Sequence, residues 1–515
     1  MKKIFFAILG IGLSLASCDM NQDPAGAITD NESLQTASDV EGYRNVVYSS
    51  FRALTSGSYV TSTELEMDKF LGTIDNGYRG QTFSNAQVNA STSDIDGNYA
   101  GCYSVMKNIN FAIPRAQALI DGGALEDDEV VAVSRYIGEL KFFRAYIYYW
   151  LYDHYCQAYD EARAEQPGLG LQLVTEYHPT GDTGSYPGRS SMKETFELIE
   201  NDLNDAFDAM VEYERTDNTN CAPNASYLSS YAVAALQSRV ALLKKDYATC
   251  ISKANYVVTS GLFPLTTGDD YAEMWSTDAG SELIFVPFVN SSESAYVGSY
   301  FNAWNYGVTY PTRVDYLPTY ATLAAYDDED IRFDSFFAIT RRMTFGEYTV
   351  STYTFQKFPG NPDLNVGTAD SFKNKPKPFR TSELYLNIAE AAAASNDATT
   401  ANKALNDLIR ARRFSPEEYS DVTYSGQNLV NVIRDERSKE LIGEGFRMSD
   451  LRRWNLGFTR DGSFPILPVI EDIYLPSNVN VQFTPGDYRY VWPIPQHQME
   501  INPQLKGQQN PGYSN

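Results

Sequence analysis

One run of ionisable side chains near the C-terminus could do chemistry: Arg434-Asp435-Glu436-Arg437-Ser438-Lys439-Glu440-Leu441-Ile442-Gly443-Glu444-Gly445-Phe446-Arg447, followed by Asp450-Leu451-Arg452-Arg453-Trp454. Glu436 and Glu440 stand four residues apart, as do Glu440 and Glu444, so on a helix each pair shares a face. Paired carboxylates are the equipment of glycoside hydrolysis. The neighbouring cations argue against that use. Arg434, Arg437, Arg447, Arg452 and Arg453 would neutralise these acids and hold them ionised. The pattern therefore reads as a structural ion network that closes a helix end at Gly443 and Gly445.

Other chemistries lack their signatures. The sequence has no G-x-S-x-G, no H-E-x-x-H, no phosphate-binding G-x-x-x-x-G-K-[ST] and no G-x-G-x-x-G after a strand. His154, His178 and His497 are scattered, which excludes a histidine-rich metal site, and nothing in the sequence calls for a cofactor. Cys102, Cys156, Cys221 and Cys250 show neither C-x-x-C nor metal-ligand spacing, so disulfides are permitted but no pairing is specified. A net charge of −25 argues against nucleic acid and against adsorption to anionic lipid, and fits an acidic surface that keeps the chain soluble. The 37 Tyr, 27 Phe and 5 Trp are mostly core, yet tyrosine also suits a surface that needs a flat apolar face and a hydroxyl.

The elements that must position these residues begin after a leader. Lys2 and Lys3 precede an apolar run over 4–15, and Leu15-Ala16-Ser17-Cys18 ends it. This is a secretory signal, not a membrane span. Its end resembles the lipobox of bacterial lipoproteins, in which Cys18 becomes the first mature residue and carries acyl chains such as palmitate. The alternative is an ordinary signal peptide with an incidental cysteine. No later stretch reaches 18 uncharged apolar residues; the most apolar, 142–151, contains Arg144. The organisation is a signal peptide at 1–17, a lipidated tether at 18–38, an N-terminal helical half at 39–260 and a C-terminal half with loops at 261–515.

The pattern is mainly α. The segment 128–155 is the longest helix, with Val133, Ile137, Leu140, Ile147 and Leu151 in one stripe that Tyr136, Phe143, Tyr146 and Trp150 widen nearly to the full circumference. Two helical hairpins follow, 231–243 with 247–259, capped at Gly261, and 382–394 with 400–412. Alanines on both allow close approach, and the pairs resemble tetratricopeptide hairpins. A third pair is expected from 190–211 with either 39–54 or 104–120. Between the halves, 296–326 carries seven tyrosines, Trp304, glycines and prolines without a sustained period, and reads as long aromatic-rich loops. Residues 338–357 alternate as a small β-hairpin around Gly346.

Four stretches together resemble the SusD/RagB outer-membrane lipoproteins. The charged run matches that family's ER-x-x-EL-x-x-EG-x-R-x-x-DLRR segment at every fixed position. Glu383-Leu384-Tyr385-Leu386 to Ala389-Glu390-Ala391 is similar to its helix before an alanine turn, and Leu405-Asn406 with Arg410-Ala411-Arg412 follows. The tail supplies Trp492-Pro493-Ile494-Pro495, Ile501-Asn502-Pro503 and Gln509-Asn510-Pro511-Gly512-Tyr513. The resemblance implies a binding protein without catalysis. It would cap a SusC-like TonB-dependent β-barrel transporter at the outer membrane, facing outward and held by lipid alone, and deliver a nutrient to it. The usual ligand is a glycan, and peptide is the alternative. Two other readings stay open: a surface glycosidase, and a partner of the barrel that binds no ligand.

A sugar ring offers C–H faces to aromatic planes and hydroxyls to amides, carboxylates and guanidiniums, so its site needs these together on exposed loops. Two stretches qualify. Asp75, Asn76, Tyr78 and Arg79 lie on one turn; Tyr300, Asn302, Trp304, Asn305 and Tyr306 lie on another. Tyr99 stands where the resembled family often has a tryptophan near its ligand. Trp275, before the strand-like 281–285, reads as core. If Cys18 carries the anchor, Cys18→Ala is expected to leave the protein unprocessed or to release it from membranes. Unchanged sedimentation with membranes and unchanged lipid labelling would exclude the anchor.

Overall fold

The computed structural model describes residues 33–73, 79–293, 295–298, 300–302, 313–345, 348–365, 372–460 and 481–514. The signal segment, Cys18 and most of the tether lie outside them. Among the described residues no helix is long and apolar enough to cross a membrane.

The architecture is helical, with four two-stranded sheets set among the helices of the described residues. α1 (Ala37–Leu54) opens with a capping box in which Thr36 and Asp39 satisfy each other's amides. α2 (Ser58–Glu66), α3 (Ser93–Asp121) and α4 (Asp127–Tyr155) follow. From Ile137 to Tyr155 every residue of α4 except Lys141 is buried, as its all-round apolar pattern predicts. α1 crosses it through Phe51, whose ring lies 4.8 Å from Phe143 and 4.7 Å from Tyr146.

The third helix pair differs from expectation. α5 (Met192–Glu214) packs antiparallel to α4, not to α1 or to the 104–120 segment. Arg144 of α4 meets Asp202 at 2.7 Å, Tyr152 meets Phe196 at 4.6 Å, and a Cβ on Gly138 would stand 2.7 Å from Ala209. An apolar stripe shows that a helix is covered, but not by which neighbour.

The two hairpins appear where the sequence places them, as α6 (Ser230–Lys244) with α7 (Tyr247–Val258) and α8 (Thr381–Ala394) with α9 (Ala398–Ala411). Both turn in one way. Lys245 (φ 65°) and Asn396 (φ 62°) adopt the left-handed conformation, and the next amides, of Asp246 and Asp397, donate to Ala241 O and Ala392 O at 2.8 Å. Each aspartate then accepts the amide of the residue three further on, capping the second helix. The hairpins stack through small side chains, with Ser238 donating to Cys250 O and accepting from Asn387. Gly261 (φ 71°) follows α7 as a left-handed stop. Cys102, Cys156, Cys221 and Cys250 are all free thiols.

β1 (Phe70–Gly72) and β3 (Tyr316–Pro318) pair antiparallel, and β2 (Leu283–Phe285) pairs with β6 (Phe379–Arg380). β4 (Phe337–Phe345) and β5 (Tyr348–Phe355) form the expected hairpin, with a register shift between Thr340 and Met343. β3 corrects the reading of 296–326 as loops throughout: its partner is about 250 residues away, so no local period announces it. Trp275 is core, as expected. β7 (Phe458–Arg460) pairs with β8 (Val481–Phe483). The tail lies along the body, where the Asn510 amide donates to Tyr155 O and Trp492 O.

The charged run forms α10 (Gly426–Glu440), a glycine turn and α11 (Arg447–Arg453). Glu436, Glu440 and Asp450 of this run are buried. The Glu440 carboxylate accepts from Arg380 at 2.8 Å, from Arg412 at 3.0 Å and from Arg332 at 3.1 Å. Glu282 shares Arg380 and Arg412 with it. Burial alone would raise the Glu440 carboxyl, but Arg412 and Arg380 hold it well below the usual range. Lys357 closes the helix end, donating to Glu440 O, Ile442 O and the Glu444 carboxylate at 2.6–3.0 Å. The depressed Glu440 contributes stability that is present above its unfolded value of 4.5 and lost as pH falls. Glu444→Ala would leave Lys357 and Arg380 short of a counter-ion in the core. We expect a cost of about 3–5 kcal/mol, read as a lower urea midpoint and Tm, and an unaltered unfolding curve would remove the network from its structural role.

Candidate functional site

The β1–β3 ladder is the base of the site. Gly72 pairs with Tyr316, and Thr73 extends the pairing by donating its amide to Asp315 O at 2.8 Å and its hydroxyl to Val314 O at 2.6 Å. The chain that leaves β1 carries the first expected ligand loop; the chain that enters β3 carries the second. Asp75, Asn76 and Tyr78 of the first, and Trp304, Asn305 and Tyr306 of the second, lie outside the described residues.

The described ends of these loops meet. The Arg79 guanidinium lies over the Tyr300 ring, 4.7 Å from its centroid. Asp315, with a side chain 1% exposed, accepts from Arg79 Nε at 2.9 Å and also from Nη2, while the Arg79 side chain keeps 45% of its surface in solvent. Tyr316 donates its hydroxyl to Arg79 O at 3.0 Å, and its ring stands edge-on to Tyr300. Gly80 (φ 72°) permits this approach, since a Cβ there would fall 2.8 Å from the Tyr316 hydroxyl. Burial raises the Tyr300 phenol, so the ring is a neutral surface at physiological pH. The result is a half-exposed cation on an aromatic plane, neutralised and oriented by a buried acid. It can bond hydroxyls or carbonyls of a ligand with little charge preference.

Two expected contacts are corrected. Tyr99 is 1% exposed, donates its hydroxyl to Gln172 Oε1 at 2.7 Å, and packs against Tyr103 and Tyr155. It belongs to the buried face of α3 with Ile95, Cys102, Met106 and Ile109, a helical spacing that was readable. Asn302 is 4% exposed, and its amide donates to Phe358 O at 2.8 Å, so it pins the loop to the body instead of facing a ligand.

Asp315 has no local signal connecting it to Arg79. The same holds for Glu64 and Asp68, which hold α2 and β1 against the charged run: Glu64 accepts the amides of Gly443 at 3.1 Å and Gly445 at 2.9 Å, and Asp68 takes both forks of Arg447 at 2.7 Å. The alternation of Glu64, Glu66 and Asp68 with Leu65 and Met67 was a usable hint, because acids spaced among apolar residues need buried partners. Burial lifts the Glu64 carboxyl to about 7 and that of Glu66, which accepts from Trp492 Nε1 at 3.0 Å, to about 8. Glu440 and Glu444 of the charged run, held below the usual range by the cations around them, are the opposite of a general acid, which must keep a proton near neutral pH. Among the described residues no group of His, Cys, Asp and Glu is placed to hold a metal ion.

Fold and site together define a helical-hairpin scaffold that presents an aromatic–guanidinium platform between two loops. The sequence model of the SusD family matches residues 322–513. A SusD-like protein of Formosa agariphila is 30% identical over 131 residues, which are 25% of this chain and 22% of that protein. A SusD superfamily protein from Bacteroides thetaiotaomicron shares the fold with a TM-score of 0.75 at 22% identity, over 92% of this chain and 100% of that one. A SusD-like carbohydrate binding protein from Bacteroides vulgatus shares it with a TM-score of 0.71 at 19% identity, over 92% and 98%. The C-terminal part of the chain is thus similar to the SusD family, and its fold is the one these SusD superfamily structures share.

The raised Glu66 value has a testable consequence. A carboxyl at about 8 in the fold and 4.5 in the unfolded chain stabilises the fold fully below pH 4.5, and that contribution is lost as pH rises through 8. Glu66→Gln keeps an acceptor for Trp492 and cannot ionise. Its Tm should therefore rise relative to the parent between pH 6 and pH 9, as measured by thermal melts across that window. A constant difference across the window would show that Glu66 is not protonated in the fold.

Proposed function

We propose that this protein is a lipid-anchored nutrient-binding protein on the outside of the outer membrane, which captures a glycan and passes it to a SusC-like TonB-dependent transporter. The observation that carries the reading is the Arg79–Tyr300 platform held by Asp315 at the root of both loops. The match of residues 322–513 to the SusD family and the fold shared with a SusD-like carbohydrate binding protein support it. The lipobox-like Leu15-Ala16-Ser17-Cys18 supports the anchor. No catalytic role follows from Glu440 and Glu444 of the charged run, which are ion-paired to arginines inside the fold.

On this reading Trp304 stacks on the sugar, while Asp75, Asn76, Tyr78, Asn305 and Tyr306 join Arg79 and Tyr300 around it. Because Asp315 already neutralises Arg79, the loop site has little preference between neutral and acidic glycan units. Truncating a central aromatic typically costs about 2 kcal/mol, roughly thirtyfold in affinity. Calorimetry with oligosaccharides should show Trp304→Ala weakened by that order with its melting curve unchanged, and Arg79→Ala weakened less. Binding of peptides and no oligosaccharide would replace the glycan by a peptide. Turnover of oligosaccharide by the purified protein would overturn the assignment as a non-enzyme.

A further inference from the structure

A groove of 420 Å3 lies away from the loop site and shares no lining residue with it. Five stretches of chain converge on it: the turn after α4, the α6–α7 turn, the end of α11, the turn after β8, and the C-terminal tail. Its volume falls in the range of small-molecule sites.

Three of its side chains are presented and unused. Tyr488 is 46% exposed but held in place. Gly512 (φ 88°) packs so closely on the ring that a Cβ would stand 2.3 Å from Cδ2, and Tyr513 meets it edge-on at 5.1 Å while donating its hydroxyl to Val491 O. An immobile aromatic half in solvent is a ready stacking surface. Asn455 is exposed in the left-handed region (φ 52°), and its side-chain amide makes no hydrogen bond among the described residues. Lys245 is exposed, and its ammonium likewise makes no hydrogen bond or ion pair among them, whereas Arg163 across the groove is paired with Asp160.

Lys245 carries a further signal. It occupies the left-handed position that closes the α6–α7 hairpin, where the sister hairpin uses Asn396. Asparagine adopts that conformation more readily than lysine, so lysine is the costlier residue at this turn. An ammonium kept there against backbone preference, without an ion pair of its own and acting only at a distance on an Asp160 that Arg163 already pairs, can take an anion as its partner.

We propose that this groove is a second glycan subsite that takes a uronic acid unit. The pyranose face lies on Tyr488, hydroxyls bond Asn455, and the carboxylate pairs with Lys245. This goes beyond the loop site, which is charge-neutral, and would let one protein hold an acidic polysaccharide at two points.

The test uses the mature protein with a glucuronate disaccharide and the matching glucose disaccharide as probes, read by saturation-transfer NMR and calorimetry. Tyr488→Ala should weaken the acidic probe by roughly tenfold. Lys245→Asn preserves the left-handed turn; it should weaken the acidic probe by roughly fivefold and leave the neutral one alone. Added salt should weaken the acidic probe in the parent and not in Lys245→Asn. Tyr300→Ala, at the loop site, should leave acidic binding here intact, which separates the two readings. The proposal is overturned if the parent binds no acidic disaccharide, if Lys245→Asn binds both probes as the parent does, or if Tyr300→Ala abolishes acidic binding.

Discussion

Everything in this fold is arranged around a buried carboxylate, Glu440, that meets three guanidiniums. A charge removed from water must be paired completely or not be ionised. Arg380, Arg412 and Arg332 come from three separate parts of the chain, and each has further partners: Arg380 reaches Glu282 and Glu444, Arg412 reaches Glu282, and Arg332 reaches Asp330 and Glu436. Displacing any one leaves several charges exposed to a low-dielectric surrounding. The second hairpin, α10 and β6 are thereby locked to one another by a condition that is all or none, not by a sum of weak contacts.

The platform inherits its rigidity from this centre. The glycine turn after α10 is capped by Glu64, and Arg447 beyond it is clamped by Asp68. Both acids belong to the short stretch that ends α2 and enters β1, so the ladder under Arg79 and Tyr300 is fastened at its root to the ion network. Arg460 adds to this by donating to the carbonyls of Leu65 and Met67. The side chains of the platform can then be few, because the backbone beneath them has no freedom left to spend.

What could be read from the sequence was what depends on neighbours along the chain. The all-apolar helix at 127–155, the two hairpins with their aspartate-capped turns, the 337–355 hairpin and the structural character of the charged run all announce themselves within a dozen residues. The unreadable features are pairings across hundreds of residues: α5 with α4, β3 with β1, Asp315 with Arg79, Glu64 with Gly443. Tyr99 is a different case. Its helical spacing with Ile95 and Cys102 spoke for burial, and the resemblance to a ligand-contacting position outweighed a physical signal that was present. Asn302 was indistinguishable by type from an exposed amide, since only the position of Phe358 O decides its use.

The fastening of Glu66 to Trp492 sets the order in which this molecule can be completed. A chain made from its N-terminus presents the 64–73 stretch early and residue 492 late. Until the tail arrives, Glu66 has no indole to accept from, and until 443–445 arrive Glu64 has no amides, so both acids stay hydrated and β1 cannot settle against β3. Contacts that span nearly the entire chain make folding slow, because long loops must close before they are rewarded. The platform is thus among the last parts to form. A chain cut short of its tail lacks the Trp492 indole that fastens the stretch entering β1, a contact 426 positions apart in sequence.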